Sequence, residues 1–199
     1  MNRREVLQRT AAVLGYAVTG PALAGIMSGC KPTPELTYQP DFFTEAEALR
    51  VSLMAEILLP RTDTPGALDA GVPGFIDDLL RHTYSPSDQE AFRKGLTEFN
   101  EESRKAYGDD FESAKPENQE ALIKNLHDAA MAGRTSDNTS GWWGSGQAEK
   151  PFIIKLKELT LIGFFLSEPG ATQVLQYNQV PGPYQGCVPL STVGKTWAT

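Results

Sequence analysis

Histidine and cysteine are nearly missing from this chain, with two of each in 199 residues. His82 and His127 fall on different predicted helices, so they read as helix-surface residues rather than as a base or a ligand pair. No C-x-x-C-H attaches a haem, no H-E-x-x-H holds zinc, no G-x-S-x-G presents a serine, and no P-loop cradles a phosphate. The glycines of 141–146 lack both the spacing and the flanking elements of a dinucleotide fingerprint. Carboxylates do not make up the deficit. Asp77-Asp78 and Asp109-Asp110 are adjacent, and neighbours on a helix point about 100° apart, so each pair reads as solvated or capping charge. Asp63 and Asp69 share a loop without the alternation of a calcium site, which favours a cap or turn role. The expectation is a chain with no catalytic, cofactor-binding or metal-binding residues of its own.

Positive charge is also short. There are 18 Lys and Arg against 25 Asp and Glu, and residues 1–29 hold Arg3, Arg4 and Arg9 against Glu5, leaving 15 against 24 beyond them. A net charge near −9 argues against nucleic acid, whose binders concentrate positive charge on one face. It also disfavours adsorption on anionic lipid, so membrane attachment must be covalent or through a partner.

What is present begins at the N-terminus. Arg3-Arg4-Glu5-Val6-Leu7-Gln8 resembles a twin-arginine export signal. The stretch from Thr10 to Gly29 is uncharged, but Gly15, Gly20, Pro21 and Gly25 keep it too weakly apolar for a spanning helix. It reads as a removable leader. It closes on Ile26-Met27-Ser28-Gly29-Cys30, which resembles a lipobox, with Met27 where Leu is commonest. Cys30 is therefore the expected lipidation site. One acyl chain binds membranes marginally, whereas the two or three on a lipoprotein cysteine suffice for lasting attachment.

The domain reading is a signal peptide over 1–29, a tether over 30–43 with three prolines that forbid helix, and a helical domain over 44–199. At 170 residues, the processed chain can bury about 70% of its unfolded surface around a single core. Thr44-Glu45-Ala46-Glu47 predicts a capping box, and Leu49, Leu53, Met54, Ile57 and Leu58 an apolar face that Pro60 ends. Arg61–Gly71 reads as an irregular loop of turn formers. Pro73 suits the first turn of a second helix with Phe75, Ile76, Leu79 and Leu80 inward. A third starts at Ser85-Pro86 with Phe92, Leu96 and Phe99 on one stripe, ending before Gly108. A fourth runs from near Pro116 to Gly133. A polar, glycine-rich loop over 134–150 follows, and a fifth and most apolar helix opens at Pro151. From about 169 the chain turns irregular, with a short turn around Ala171–Leu175. The fold class is all-α: about five helices in a single domain with a long irregular C-terminal tail.

If Cys30 takes lipid, Cys187 is left alone in an oxidising compartment, which suggests pairing with another chain; a buried free thiol is the alternative. Trp142, Trp143, Tyr177, Tyr184 and Trp197 fall outside the helical stripes. Aromatics in irregular polar segments serve as interface anchors, or fold back over the chain's own core.

Three stretches together resemble the gluconate 2-dehydrogenase subunit 3 family, the small subunit of membrane-bound sugar dehydrogenases. They are Ile57–Ala67 with Gly71-Val72-Pro73; Leu156-Lys157-Glu158-Leu159-Thr160; and Gly163–Thr172 leading into Tyr177, Pro181-Gly182-Pro183-Tyr184 and Gly186-Cys187. Phe164-Phe165 stands where the family often has an aromatic pair beginning with Tyr, and Pro169 replaces a commoner Ile. The resemblance implies a non-catalytic partner of a large FAD-containing flavoprotein of the glucose-methanol-choline group, with a cytochrome c as the usual electron acceptor. It implies escort of that folded partner through twin-arginine export, residence on the periplasmic side of a bacterial membrane, and an inter-subunit disulfide at Cys187. The competing readings are an independent periplasmic lipoprotein that docks a cytochrome or captures a sugar, and an unrecognised enzyme.

Overall fold

Thr44 opens the first helix with the chemistry its sequence promises. In the computed structural model, which describes residues 36–132, 150–176, 180, 182–183 and 186–198, its Oγ1 accepts from the Glu47 amide at 3.3 Å. The Glu47 carboxylate accepts from the Thr44 amide at 2.9 Å, so two N–H groups that a helix start leaves orphaned are satisfied together. Helix α1 spans Glu45–Leu58. Its deepest residues are Ala48, Val51, Met54 and Ala55, all without solvent exposure, whereas Leu49, Leu53, Ile57 and Leu58 are only half-buried. Of the expected apolar face, Met54 is fully buried and Leu53, Ile57 and Leu58 pack against the core, while Ala48, Val51 and Ala55 lie deeper than the leucines. The helix is packed by α2, α4, α5 and a 3-10 turn, defined below, so small side chains occupy the closest approaches and the leucines fill the flanks.

Helix α2 spans Val72–Thr83 and buries Ile76 and Leu80, with Phe75 and Leu79 half-buried. Helix α3, Pro86–Tyr107, starts at Ser85, whose Oγ accepts from the Asp88 amide at 3.3 Å, and ends as Gly108 N–H donates to Arg104 O at 2.9 Å. Its stripe of Phe92, Leu96 and Phe99 is buried, as the periodicity predicts. A 3-10 turn over Phe111–Ser113 has no counterpart in the sequence reading. Phe111 is fully buried there, edge-on to Phe99 at 4.9 Å. Its N–H donates to Asn100 Oδ1 at 2.9 Å, and its carbonyl accepts from Gln119 Nε2 at 2.6 Å. Helix α4 spans Pro116–Ala132 and helix α5 Phe152–Leu166. These five substantial helices make the chain all-α, as expected from its patterning.

A π-helical turn, Gly170–Val174, follows α5 where a short turn was expected. The tail adds a four-residue helix, α6 (Leu190–Val193), and then returns. Gln176 N–H donates to Thr196 O and Ala198 N–H to Gln176 O, both at 2.9 Å. The Gln176 side chain also reaches Val193 O, and Lys195 Nζ reaches Gln173 O at 3.0 Å. The end of the irregular tail is thus tied to the turn after α5.

Residues 36–43 are non-helical, as their proline content requires, yet they are not a free spacer. Leu36 and Tyr38 pack against the core, and Phe42 and Phe43 are buried. The cause is Asp77, only 1% exposed, which corrects its reading as solvated charge. Its carboxylate accepts three backbone N–H groups: Asp41 at 2.8 Å, Phe42 at 3.1 Å and Phe43 at 2.9 Å. Arg93 adds a hydrogen bond to Phe42 O and sets its guanidinium 4.4 Å over the Phe42 ring. Burial, with the negative charges of Asp77 and Asp78 nearby, pushes the Tyr38 hydroxyl well above the ordinary tyrosine range.

Among the described residues, one ion pair is largely sheltered from solvent. Arg50 on α1 forks onto Glu112 of the 3-10 turn, Nη2–Oε1 2.8 Å and Nε–Oε2 3.1 Å. Removing one member leaves the other charge uncompensated, so Glu112→Ala should cost about 3 kcal/mol, read as a lower urea midpoint at unchanged slope. Asp110 is different: exposed, and held below the usual carboxylate range by the Arg104 guanidinium and the Asn100 amide. A lowered folded pKa contributes stability that is present above the ordinary aspartate range and lost as pH falls through the folded value. Asp110→Asn should therefore be less stable than the native chain at pH 7. The gap should close in urea titrations taken progressively into the acid range below the ordinary aspartate value.

Candidate partner interface

Helix α5 is apolar on nearly every side, and a helix of that kind has more hydrophobic surface than one core face can take. Ile153, Ile154, Leu156, Leu159 and Phe164 are buried against the other helices. Gly163 allows Phe75 of α2 to lie on the α5 backbone, since a Cβ there would meet the Phe75 ring at 2.6 Å. The residues left over are Ile162 at 40% exposure, Phe165 at 39% and Leu166 at 70%. Their i, i+3, i+4 spacing places them on one outer stripe of the last turns of α5. Composition contained the signal, because the helix holds more large apolar residues than a single stripe needs. The sequence reading did not separate those that face inward from those left outside.

The turn and tail just beyond carry more apolar surface. Trp197 is 44% exposed and sits where the tail is bonded to Gln176, while Val180 and Val188 are exposed on the same irregular segment. Cys187 is a free, exposed thiol, which removes the buried alternative. Of the other residues singled out by sequence, Arg3, Arg4, Cys30, Trp142, Trp143, Tyr177 and Tyr184 lie outside the described residues, as does the 134–150 loop apart from Lys150.

The loop between α1 and α2 is exposed but braced. Glu56 accepts from the amides of Arg61 and Leu68, each at 3.1 Å. Asp69 accepts from Gly66 N–H at 2.9 Å and pairs with Arg61 Nη1 at 3.0 Å, which is the turn role expected of it. Thr62, Asp63 and Thr64 are held outward by this frame.

Little in the rest of the described surface invites chemistry. His82 is exposed, and half-buried His127 accepts from Lys157 Nζ at 2.9 Å, a link between α4 and α5. Among the described residues, no group of three or more His, Cys, Asp or Glu side chains can hold a metal ion. A groove between α3 and the start of α5 contains Lys150 and Glu158, already paired at 2.9 Å, and Lys155 over the Tyr84 ring. A second cleft, beside residues 41–42, contains the Arg81–Asp41 pair. Burial and the carboxylates of Asp88 and Glu158 raise the Tyr84 hydroxyl above its ordinary range. No helix of the described residues is long and apolar enough to cross a membrane.

The sequence model of the family described as Gluconate 2-dehydrogenase subunit 3 matches residues 45–182. That span runs from the first turn of α1, through the braced loop and α5, into the tail. Searches of curated proteins and of solved structures give no match.

The braced loop tolerates no side chain at Gly66. A Cβ would come within 2.6 Å of the Arg61 amide nitrogen and 2.9 Å of the Glu56 carboxylate, and the first of these is backbone that cannot swing aside. Gly66→Ala should destabilise the domain by about 1–3 kcal/mol, judged by the urea midpoint. Alanine at the open, exposed position of Thr64 should change it by less than about 0.5 kcal/mol.

Proposed function

The chain belongs to the gluconate 2-dehydrogenase subunit 3 family, and from that premise we propose that it escorts a folded, FAD-containing dehydrogenase through twin-arginine export and then keeps it at the membrane. Family membership makes it an accessory, non-catalytic subunit of a dehydrogenase complex, with a catalytic partner subunit. The finer reading is that the partner is a flavoprotein of the glucose-methanol-choline type that oxidises a sugar or polyol and passes electrons to a cytochrome c.

The observation that carries the proposal is a mismatch within one sequence. A leader of the twin-arginine kind, built for folded cargo, precedes a chain without a recognisable redox motif. A small helical domain gains nothing from that route unless something bound to it must cross already folded. Cofactor-loaded flavoprotein is such a cargo. On arrival, the acyl chains on Cys30 supply the attachment that an acidic protein cannot obtain from lipid headgroups.

The exposed apolar residues of α5 and the tail support a partner surface there. Phe165, Leu166 and Trp197 offer large apolar area at fixed positions, the kind of side chain that carries binding energy in protein interfaces. Cys187, exposed on the same tail, is accessible to a thiol of the partner. Trp142, Trp143, Tyr177 and Tyr184 are candidate anchors of the same kind.

Mild detergent extraction of membranes from the native host tests the proposal. The expected result is a yellow flavoprotein, roughly three times the size of this chain, co-purifying with it and joined through Cys187 in a band that reducing agent or Cys187→Ser removes. Arg3→Lys with Arg4→Lys should strand both proteins in the cytoplasm. A colourless chain purified alone, or undiminished export of the dehydrogenase from the double variant, would overturn the escort role.

A further inference from the structure

The twin-arginine leader and Cys30 hang from residues 36–43, and the contacts holding those residues come from helices remote in sequence. Asp77 on α2 accepts the amides of Asp41, Phe42 and Phe43, and Arg93 on α3 takes the Phe42 carbonyl and ring. Arg81 of α2 adds a looser, exposed ion pair to Asp41 at 3.5 Å. α1, the helix into which the strap leads, supplies none of these polar contacts. The strap is therefore held by α2 and α3 rather than by the helix into which it leads, and its docking decides how much of the chain is free.

We propose that the Asp77 clamp on residues 36–43 sets the length of the leash between the lipid anchor and the folded domain. With the strap docked, no more than residues 31–35 separate Cys30 from Leu36, which packs against the core. At about 3.5 Å per residue that chain reaches at most about 20 Å. With the strap released, residues 36–43 add to that span and the reach grows to at most about 50 Å. Release also bares Phe42 and Phe43, so opening exposes apolar surface and is opposed by its burial. Three N–H groups on one buried carboxylate, rather than a flexible spacer, keep the domain and whatever it carries close to the bilayer. The length consequence rests on the reading of Cys30 as lipidated; the clamp itself does not.

The test uses the membrane-bound complex on a supported phospholipid bilayer, with hydrogen exchange and neutron reflectometry as paired readouts. In the native chain, the amides of Asp41, Phe42 and Phe43 should be protected, and the water gap beneath the protein layer should not exceed about 20 Å. Asp77→Asn, and separately the milder Arg93→Gln, should raise exchange at those three amides while α1 and α5 stay protected, and should widen the gap by up to about 30 Å. An eight-residue Gly-Ser insertion between Glu35 and Leu36 should widen the gap without loss of protection. Fast exchange of the three amides in the native chain would overturn the clamp. A gap unchanged by Asp77→Asn after protection is lost, while the insertion widens it, would overturn the length role. If Cys30→Ser binds the bilayer as firmly as the native chain, the anchor reading fails and takes the leash with it. The exchange data then still decide whether Asp77 holds the strap.

Discussion

The middle of helix α1 is buried over most of its circumference, with Leu49, Leu53 and Glu56 left half-buried, and that constraint organises the domain. Ala48, Val51, Met54 and Ala55 are closed off on successive sides by α2, α4, α5 and the 3-10 turn. A 14-residue helix is short, and helices of that length owe little to intrinsic propensity and much to what packs on them. The capping box fixes where it starts. Its interior position dictates the rest: a charged residue on it, Arg50, had to find a buried partner, and Glu112 in the 3-10 turn supplies one. Phe111, which fixes that turn, then reaches Phe99 of α3, so the turn couples α1 to a helix beyond it.

The same economy of polar groups appears where the chain enters the domain. Asp77 is a buried carboxylate satisfied by backbone amides rather than by a cation, an arrangement more often met at helix N-termini. It turns an extended segment into part of the core without any regular secondary structure. Residues 36–43 thus pack with the helices that follow Thr44, and the aromatic contacts of Phe42, Phe43 and Phe92 extend the core toward the N-terminus.

Against this, the outer surface is plain. The clefts contain the ion pairs Arg81–Asp41 and Lys150–Glu158, and burial raises the hydroxyls of Tyr38 and Tyr84 above their ordinary range. Among the described residues, most of the larger apolar side chains that the core does not absorb lie at the end of α5 and on the tail, with Leu68 and Met131 exposed elsewhere. Such a distribution suits a protein that acts by contact, in keeping with an accessory subunit of a dehydrogenase complex.

Much of the fold was written in local sequence. Thr44, Ser85, Gly108 and Pro151 mark helix ends because caps and breakers act within one turn of chain, and the Phe92-Leu96-Phe99 stripe follows from helical period alone. The family was legible for the same reason: its stretches are continuous runs such as Ile57–Ala67. What local pattern does not contain is the partner of a residue far along the chain. Asp77 meets residues 34, 35 and 36 positions away, and Arg50 meets one 62 away. Neither pairing has a spacing signature, so one was read as solvated charge and the other drew no attention. In the same way, period located α5 but not the side chains its neighbours leave uncovered, because burial depends on what arrives from elsewhere. Sequence by itself determined the helices, their ends and the family; the tertiary structure alone decided which charges are buried, that residues 36–43 pack with the helices, and which apolar side chains remain to meet a partner.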